Sequence, residues 1–232
     1  MPNSGSESVD DYLKAIFELT GPAGEPAASN AIAQRLGVSA PSVTGMLQKL
    51  STGKRPWVAY RKHRGARLTQ EGRLRALRII RRHRLVELFL CQVLGYSWDE
   101  VHQEAERLEH FISEKLEERI AQKQGNPEFD PHGDIIPGKD GTLPERKTMA
   151  LADVPPGSSV VVTSVSDRDP EMLRYLERIG LAPNRSLAVI DHGPFEGPTT
   201  VRLHGEADPR SLSPRLAAAI LVQMTRCGRR KP

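Results

Sequence analysis

The spacing of apolar residues predicts that the first half of the chain is mainly helical. Apolar positions three and four residues apart predict helices over residues 9–19, 29–36, 39–50, 69–94 and 97–120. Asp10 and Asp11 fall in the first turn of the first helix, where acidic side chains suit the helix dipole. Gly37 separates the second helix from the third, and Ser39 can cap the third. A helix, a tight glycine turn and a capped helix form the helix-turn-helix pattern, which is typical of DNA-binding proteins.

Short strands are predicted in two parts of the chain. Residues 57–60 and 66–69 form a predicted hairpin around the basic tip Arg61–Gly65. Further strands are predicted at 158–165, 187–191, 199–203 and about 221–225. One helix over 171–179 lies among them, and this combination predicts a small SH3-like barrel. We therefore expect a mainly α fold with a small β content: an N-terminal winged helix-turn-helix (1–72), a helical dimerisation and metal domain (73–140), a linker (141–147) and a C-terminal SH3-like barrel (148–227).

Basic residues are concentrated beside the helix-turn-helix, although the net charge of the chain is only +4. From Lys54 to Arg84 the sequence has twelve lysines and arginines and a single acid, Glu71. Neutralisation of DNA phosphates explains this concentration, whereas a solvated helix face explains Arg73–Arg84 but explains the hairpin less well. We expect DNA contacts from the outward side of the third helix and from the hairpin tip, at Ser42, Thr44, Gln48, Arg61, Lys62 and Arg64.

Histidines and carboxylates recur at helical spacing in two of the predicted helices. They are His83 and Glu87 on one helix and, on the next, His102, Glu106 and His110 at every fourth position with Glu109 beside them. Clustered carboxylates repel one another unless they are solvated or neutralised by a cation. Two helices with such matched pairs can enclose a divalent ion. Two solvated helix faces are the alternative interpretation.

Other features of the sequence bear on its compartment and class. The two cysteines show no disulfide spacing, the N-terminus is unlike a signal peptide, and no apolar run could cross a bilayer. We therefore expect a cytoplasmic protein without a membrane partner. The two long helices carry more apolar surface than a winged-helix domain needs, which predicts a homodimer. Without an HExxH motif, a nucleophile–base pair or a glycine-rich phosphate loop we expect no enzyme. A metallo-hydrolase and a winged-helix regulator that senses an organic ligand are the alternatives.

Together these motifs resemble the diphtheria-toxin-repressor family of metal-dependent transcriptional repressors. The resemblance covers almost the whole chain and is most specific at Asp11–Leu19, Arg82–Leu85 and Val101–His110, and the Pro131–Pro137 run also matches the family. The C-terminal barrel looks like the ferrous-transport-A type. By position, the resemblance implies metal ligands at Asp11, His83, Glu87, His102, Glu106, Glu109 and His110. It also implies that the recognition helix begins with Ser39, Pro41, Ser42 and Thr44. Gly45 departs from the glutamine of iron-type members, so their operator sequence does not carry over.

The resemblance further implies manganese as the metal. Asp11 and Glu106 stand where manganese-dependent members have aspartate and glutamate, and where iron-dependent members have methionine and cysteine. Hard carboxylates in place of soft sulfur favour Mn(II), with Fe(II), Co(II) or another divalent transition metal as the alternative. Lys14 stands where small manganese regulators have an acidic ligand, which argues against a tight two-ion cluster of their type.

A separate second site would then contain His83, Glu87 and His102. In family members with the barrel, a barrel side chain completes this site, and Glu171 is the best positional match, with Asp169 close by. We therefore expect a Mn(II)-dependent repressor of metal-homeostasis genes. A metal between the N-terminal helix and the dimerisation helices would order the homodimer for a double-stranded operator. An Fe(II)-dependent regulator of iron uptake is the alternative within the family.

Overall fold

The computed structural model describes residues 4–20 and 24–225, with side chains from residue 7 onward. Within these residues the chain forms eight α-helices and eight strands, and it divides into two compact units. The predicted mainly α fold with a small β content is confirmed. None of the described helices is long and apolar enough to cross a membrane. Cys227 and the basic C-terminal residues lie outside the described part.

The first unit comprises Met1–His83, Glu106–Arg119 and Pro137–Leu143. Its N-terminal part contains α1 (Ser4–Thr20), α2 (Ser29–Leu36), α3 (Ala40–Leu50), β1 (Val58–Arg61), β2 (Gly65–Leu68) and the first half of α4 (Gln70–Leu94). The core contains Leu13, Ile32 and Leu47, all fully buried. The order of α2, α3 and the antiparallel β1–β2 hairpin is that of a winged helix-turn-helix.

Local signals explain the helix-turn-helix. Gly37 has φ +65°, the left-handed conformation that ends α2 without a steric penalty. The Ser39 side chain accepts a hydrogen bond from the backbone N–H of Ser42 at 3.3 Å, and this caps α3. At the other end of the wing, the Thr69 hydroxyl accepts from the N–H of Gly72 at 3.1 Å and caps α4.

The first helix is longer than predicted. It begins at Ser4 rather than at residue 9, with Glu7 as the acid of its first turn. Asp10 and Asp11 therefore lie within the helix, and the prediction that they occupy its first turn is wrong. Asp10 instead forms an ion pair with Arg75 on α4, with 2.5 Å between Oδ1 and Nε. Asp11 is thus held on a helix that the Asp10–Arg75 pair joins to α4.

The predicted helix over 97–120 is also wrong, because the chain leaves the helix in the middle. It forms α5 (Val101–Leu108) and α6 (Glu114–Lys123), with a turn between them. Ser97 and Glu100 form a side-chain hydrogen bond of 2.6 Å in the turn that precedes α5. Glu109 and His110 therefore follow the end of α5 instead of continuing its helical stripe. This break lets the Glu109 carboxylate turn into the unit, where it is only 1% exposed.

The second unit comprises Arg84–Ala105, Ile120–Ile136 and Pro144–Pro232. Its sheet has six antiparallel strands in the order β3-β8-β4-β5-β6-β7. The elements are β3 (Met149–Ala150), β4 (Ser159–Val165), α7 (Pro170–Arg178), β5 (Ser186–His192), β6 (Thr199–Leu203), β7 (Arg210–Leu212), α8 (Pro214–Ala218) and β8 (Ile220–Met224). Register shifts in β4 and β5 bend the strands, as closure of a small SH3-like domain requires.

Trp98 joins the helical part of this unit to the sheet. Its side chain is 9% exposed and belongs to the same buried cluster as Val162, Leu173 and Val222. The indole also stacks on the His132 ring, with centroids 5.9 Å apart. The backbone oxygen of His132 accepts from the N–H of Val165 on β4 at 3.0 Å. The sheet, the loop around His132 and the segment before α5 therefore share one packed interior.

Candidate metal centres and DNA-binding face

Three predicted ligands meet in the first unit, in what we call the α1 site (Asp11, Glu109 and His110). His110 Nε2 lies 3.0 Å from Asp11 Oδ1 and 3.6 Å from Glu109 Oε1. One ligand atom from each residue lies within 4.8 Å of the others. Metal–ligand bonds of about 2.1 Å separate neighbouring ligand atoms by roughly 3 Å. The three side chains therefore fit a divalent ion.

Glu106 lines the same cavity as these three residues. The cavity has a volume of about 330 Å³, and Glu106 and Lys14 also form part of its wall. Glu106 lies on the last turn of α5 and is exposed. The structure therefore brings Asp11, Glu106, Glu109 and His110 to one cavity, although Glu106 is not among the three whose ligand atoms meet.

Buried charges surround Glu109. Lys14 Nζ donates to both of its carboxylate oxygens, at 3.0 and 3.2 Å, and His83 Nδ1 lies 2.5 Å from Oε2. Burial alone would raise the pKa of Glu109, but His83 and Lys14 outweigh it and the pKa lies below its ordinary value. The hydrogen bond to Asp11, aided by the charge of Glu109, raises the pKa of His110 against the effect of burial. Because this shift favours the protonated imidazole, a metal at this site competes with a proton for His110.

A second group of ligands lies in the second unit and centres on Glu87, which is fully buried on α4. Glu87 Oε1 lies 3.1 Å from His102 Nδ1, and His102 Nδ1 lies 3.1 Å from Asp167 Oδ2. Burial raises the pKa of Asp167, but the hydrogen bond and the charge of His102 outweigh it and bring the pKa to about 2. Asp167 follows β4, so the SH3-like domain contributes a carboxylate to this group.

The other oxygen of Glu87 faces His132. His132 Nε2 lies 2.7 Å from the backbone oxygen of Trp98, so this nitrogen carries the proton and donates it. Nδ1 has no hydrogen-bond partner among the described residues and lies 3.9 Å from Glu87 Oε2. Asp130 completes the set. Burial, with the charges of Glu87 and Asp134, raises the pKa of Asp130 well above its ordinary value. Acceptors that face one another in this way fit a cation. We call Glu87, His102, Asp130, His132 and Asp167 the Glu87 cluster.

The barrel residue in this cluster is not the one expected. Glu171 is exposed in the first turn of α7, where its N–H donates to Asp169, the N-cap residue. Asp167, two residues before that cap, contacts His102 instead. Asp130 was also missed, because its Oδ1 accepts from the N–H groups of His132 and Asp134 and so reads as a turn residue. The signal for Asp167 is a second acid two residues before the Asp169 cap, whereas Asp130 carries no such signal because its own carboxylate makes the turn.

Most of the predicted DNA-contacting residues are exposed to solvent. Ser39, Pro41, Ser42, Gln48, Arg61, Lys62 and Arg64 are exposed, and Thr44 is half-buried. A cleft of about 390 Å³ is lined by the start of α2, by Thr44 and by Lys62 and Arg64 of the hairpin. Small polar side chains on α3 suit close approach to base edges, and cations at the wing suit phosphates.

A winged helix-turn-helix in a chain with buried histidine–carboxylate groups defines a metal-regulated DNA-binding protein. Three family models match consecutive parts of the chain: the iron-dependent repressor N-terminal DNA-binding domain at residues 6–66, the iron-dependent repressor metal-binding and dimerisation domain at 69–138, and the FeoA domain at 149–224. The chain belongs to the iron-dependent repressor family.

Individual relatives agree with this assignment. Iron-dependent repressor IdeR of Mycobacterium leprae is 32% identical over 195 residues, which cover 79% of this chain and 84% of that protein. The structure of a manganese-dependent transcriptional repressor in complex with manganese has a TM-score of 0.87 at 38% identity and covers 94% of this chain and 100% of that one. ScaR with bound Zn²⁺ has a TM-score of 0.78 at 32% identity, with 93% and 98% covered.

These findings confirm the predicted class. The chain is a metal-dependent transcriptional repressor with an N-terminal DNA-binding domain and a C-terminal SH3-like domain of the FeoA type, and its homologues and fold are not those of an enzyme. It belongs to a family regulated by divalent metals that carries a dimerisation domain.

Proposed function

We propose that this repressor responds to Mn(II) and binds a double-stranded operator as a homodimer. The observation that carries the proposal is the donor set of the α1 site and its cavity wall. Asp11, Glu106, Glu109 and His110 offer carboxylate oxygen and imidazole nitrogen, with no sulfur among the described residues that line the cavity. Carboxylate ligands suit Mn(II), although the affinity order of divalent metals alone favours later ones. Fe(II) is the second candidate, because a relative is an iron-dependent repressor by name.

The residues of the α1 site link two segments of the first unit. Asp11 lies on α1, whose Leu13 and Ile16 pack in the winged-helix core. Glu109 and His110 lie on the turn after α5. A bound ion would supply a bridge between α1 and this turn. Such a bridge would restrict the orientation of the winged helix-turn-helix. Because the coupling of metal and DNA binding is reciprocal, DNA should tighten metal binding by the same factor.

Exposed apolar side chains support a homodimer. Leu108, Phe111 and Leu116 are 39%, 61% and 49% exposed in the first unit, and the second unit exposes Val93, Leu94 and Tyr96. All six fall within the match to the metal-binding and dimerisation domain. We infer that a second copy covers them and that the two α3 helices enter major grooves about one turn of DNA apart. The proposed domains are the winged helix-turn-helix at 1–72, the dimerisation and metal domain at 73–140 and the SH3-like barrel at 148–227. Because the proposed operator is chromosomal, we also propose that the protein is cytoplasmic.

The Glu87 cluster is the proposed second metal site. Glu87 and His102 supply ligands from the helices, and we propose Asp167 rather than Glu171 as the ligand from the SH3-like domain. Asp130 and the free Nδ1 of His132 lie on the other side of Glu87. The bond from His132 Nε2 to a backbone oxygen is the support that metal-binding histidines ordinarily have. His83 stays a proposed ligand of this site, and within its own unit it contacts Glu109 and Lys14.

A metal-dependent mobility shift on a pool of genomic fragments tests the proposed function. Mn(II), Fe(II) and Co(II) are compared with a chelated sample for wild type, Asp11→Asn and Asp208→Asn. Asp208 is exposed after β6 and serves as the matched control. We expect Mn(II) to promote a shift in wild type and Asp208→Asn but not in Asp11→Asn. Equal DNA binding with and without all three metals would refute the function, whereas activation by Fe(II) alone would refute only the manganese assignment.

A further inference from the structure

Lys14 is a buried lysine whose ammonium lies against the α1 site. Its side chain is 9% exposed, and a buried lysine is rare unless it is paired. Nζ lies 3.0 and 3.2 Å from the two oxygens of Glu109 and 3.1 Å from His83 Nδ1. The ammonium thus meets a carboxylate and an imidazole, which are the ligand types that a divalent metal takes in proteins.

The ammonium and a metal in the α1 site would share one carboxylate. Glu109 Oε1 faces His110 Nε2 at 3.6 Å, whereas Oε2 faces Lys14 at 3.0 Å and His83 at 2.5 Å. A divalent ion would therefore bind a carboxylate whose charge is already paired, close to a second positive charge. Both effects weaken its binding, and the repulsion is strong because the Glu109 side chain is almost fully buried.

We propose that Lys14 is a resident cation of the α1 site, which limits the site to one divalent ion and lowers its affinity for that ion. The inference rests on the proposed function, because it takes Asp11, Glu109 and His110 as the metal site. Without metal, the same ammonium ties α1 to the turn after α5 through Glu109, and His83 on α4 contacts the same carboxylate, so Glu109 stays paired. A residue that cannot bind metal thus sets the metal concentration at which the repressor responds.

Titration of the full chain with Mn(II) by isothermal calorimetry tests this role. The α1-site phase is identified as the one that Asp11→Asn removes. Lys14→Gln removes the charge but retains a donor for Glu109, and we expect the Mn(II) affinity of this phase to rise roughly tenfold or more. Lys14→Arg retains the charge and should stay near the wild-type affinity. Lys139→Gln is the matched control, because Lys139 is exposed and its ammonium pairs with the exposed Glu118 at 3.3 Å.

Lys14→Glu tests the limit of one ion independently. A carboxylate in place of the ammonium adds a ligand beside Glu109 and His83, and we expect one additional Mn(II) per chain by native mass spectrometry. Unchanged or weaker affinity in folded Lys14→Gln would overturn the proposal. If Lys14→Gln does not fold, an unchanged ion count in Lys14→Glu would overturn it instead. Absence of the Mn(II) phase from both wild type and Lys14→Gln would show that the proposed metal function itself is wrong.

Discussion

Replacement of Trp98 by alanine should destabilise the SH3-like domain from outside its own strands. About nine-tenths of the side chain is buried, and a tryptophan buries on the order of 150–250 Å². At about 25 cal/mol per Å² this corresponds to roughly 3–6 kcal/mol as an upper estimate. Truncation of buried tryptophan costs about 3–5 kcal/mol in other proteins. Because the indole Nε1 has no hydrogen-bond partner among the described residues, the loss is one of packing.

Native-state hydrogen exchange of the β4 and β8 amides measures this effect locally. We expect the free energy of opening of these strands to fall by about 3–5 kcal/mol in Trp98→Ala. Phe195→Ala is the matched control, since Phe195 belongs to the same domain but is 100% exposed, and its change should stay within about 0.5 kcal/mol. A change below about 1 kcal/mol in Trp98→Ala would refute the inference that the segment before α5 is part of the barrel core.

Three further predictions concern the loop at Gly133, the wing residue Arg64 and the ion pair between Asp99 and Arg174. Gly133→Ala should lower thermal stability and reduce metal binding by the Glu87 cluster, because the new Cβ would lie 2.1 Å from the Thr163 backbone oxygen at a φ of +89°. The control is Gly157→Ala, whose Cβ would meet open space at a φ of +81°. This control should lower thermal stability less and leave the number of bound ions unchanged. Arg64→Ala should weaken binding to all DNA sequences alike and reduce the salt slope by about one unit, whereas sequence-dependent loss would make Arg64 a base reader. Burial raises the pKa of Asp99, but hydrogen bonds from Ser97 and Arg174 outweigh it, so its pKa lies below 3.8 and its ionised form stabilises the fold at neutral pH. The stability advantage of wild type over Asp99→Asn in urea should therefore decline as the pH falls below 3.8, and an advantage that grows in acid would contradict this sign.

Elements with complete local signals were predictable from the sequence. The helix-turn-helix depends on a left-handed glycine at residue 37 and on a cap at Ser39, both of which act within a few residues. The helix Ser29–Leu36 accordingly has the predicted bounds. In contrast, β3, β7 and α8 have two to five residues each, too few to establish an apolar period, and they were missed.

The candidate metal groups were only partly predictable. Spacing and resemblance identified Asp11, Glu106, Glu109 and His110, and the structure brings all four to one cavity. The apolar period runs on through residues 109–113, so it could not show that the chain leaves the helix there. That break accompanies the burial of Glu109 against Lys14 and His83, which are 95 and 26 residues away in the chain.

The sequence by itself determined the family, the winged helix-turn-helix and the types of ligand, because capping, periodicity and residue chemistry are local properties. Only the tertiary structure decided which carboxylates meet which imidazoles. Asp167 is 65 residues from His102, yet their side chains lie 3.1 Å apart. The same packing buries Lys14 against Glu109 and leaves Glu171 exposed. Such pairings depend on desolvation and on charge at distances of a few ångströms, which exist only once the segments have packed together.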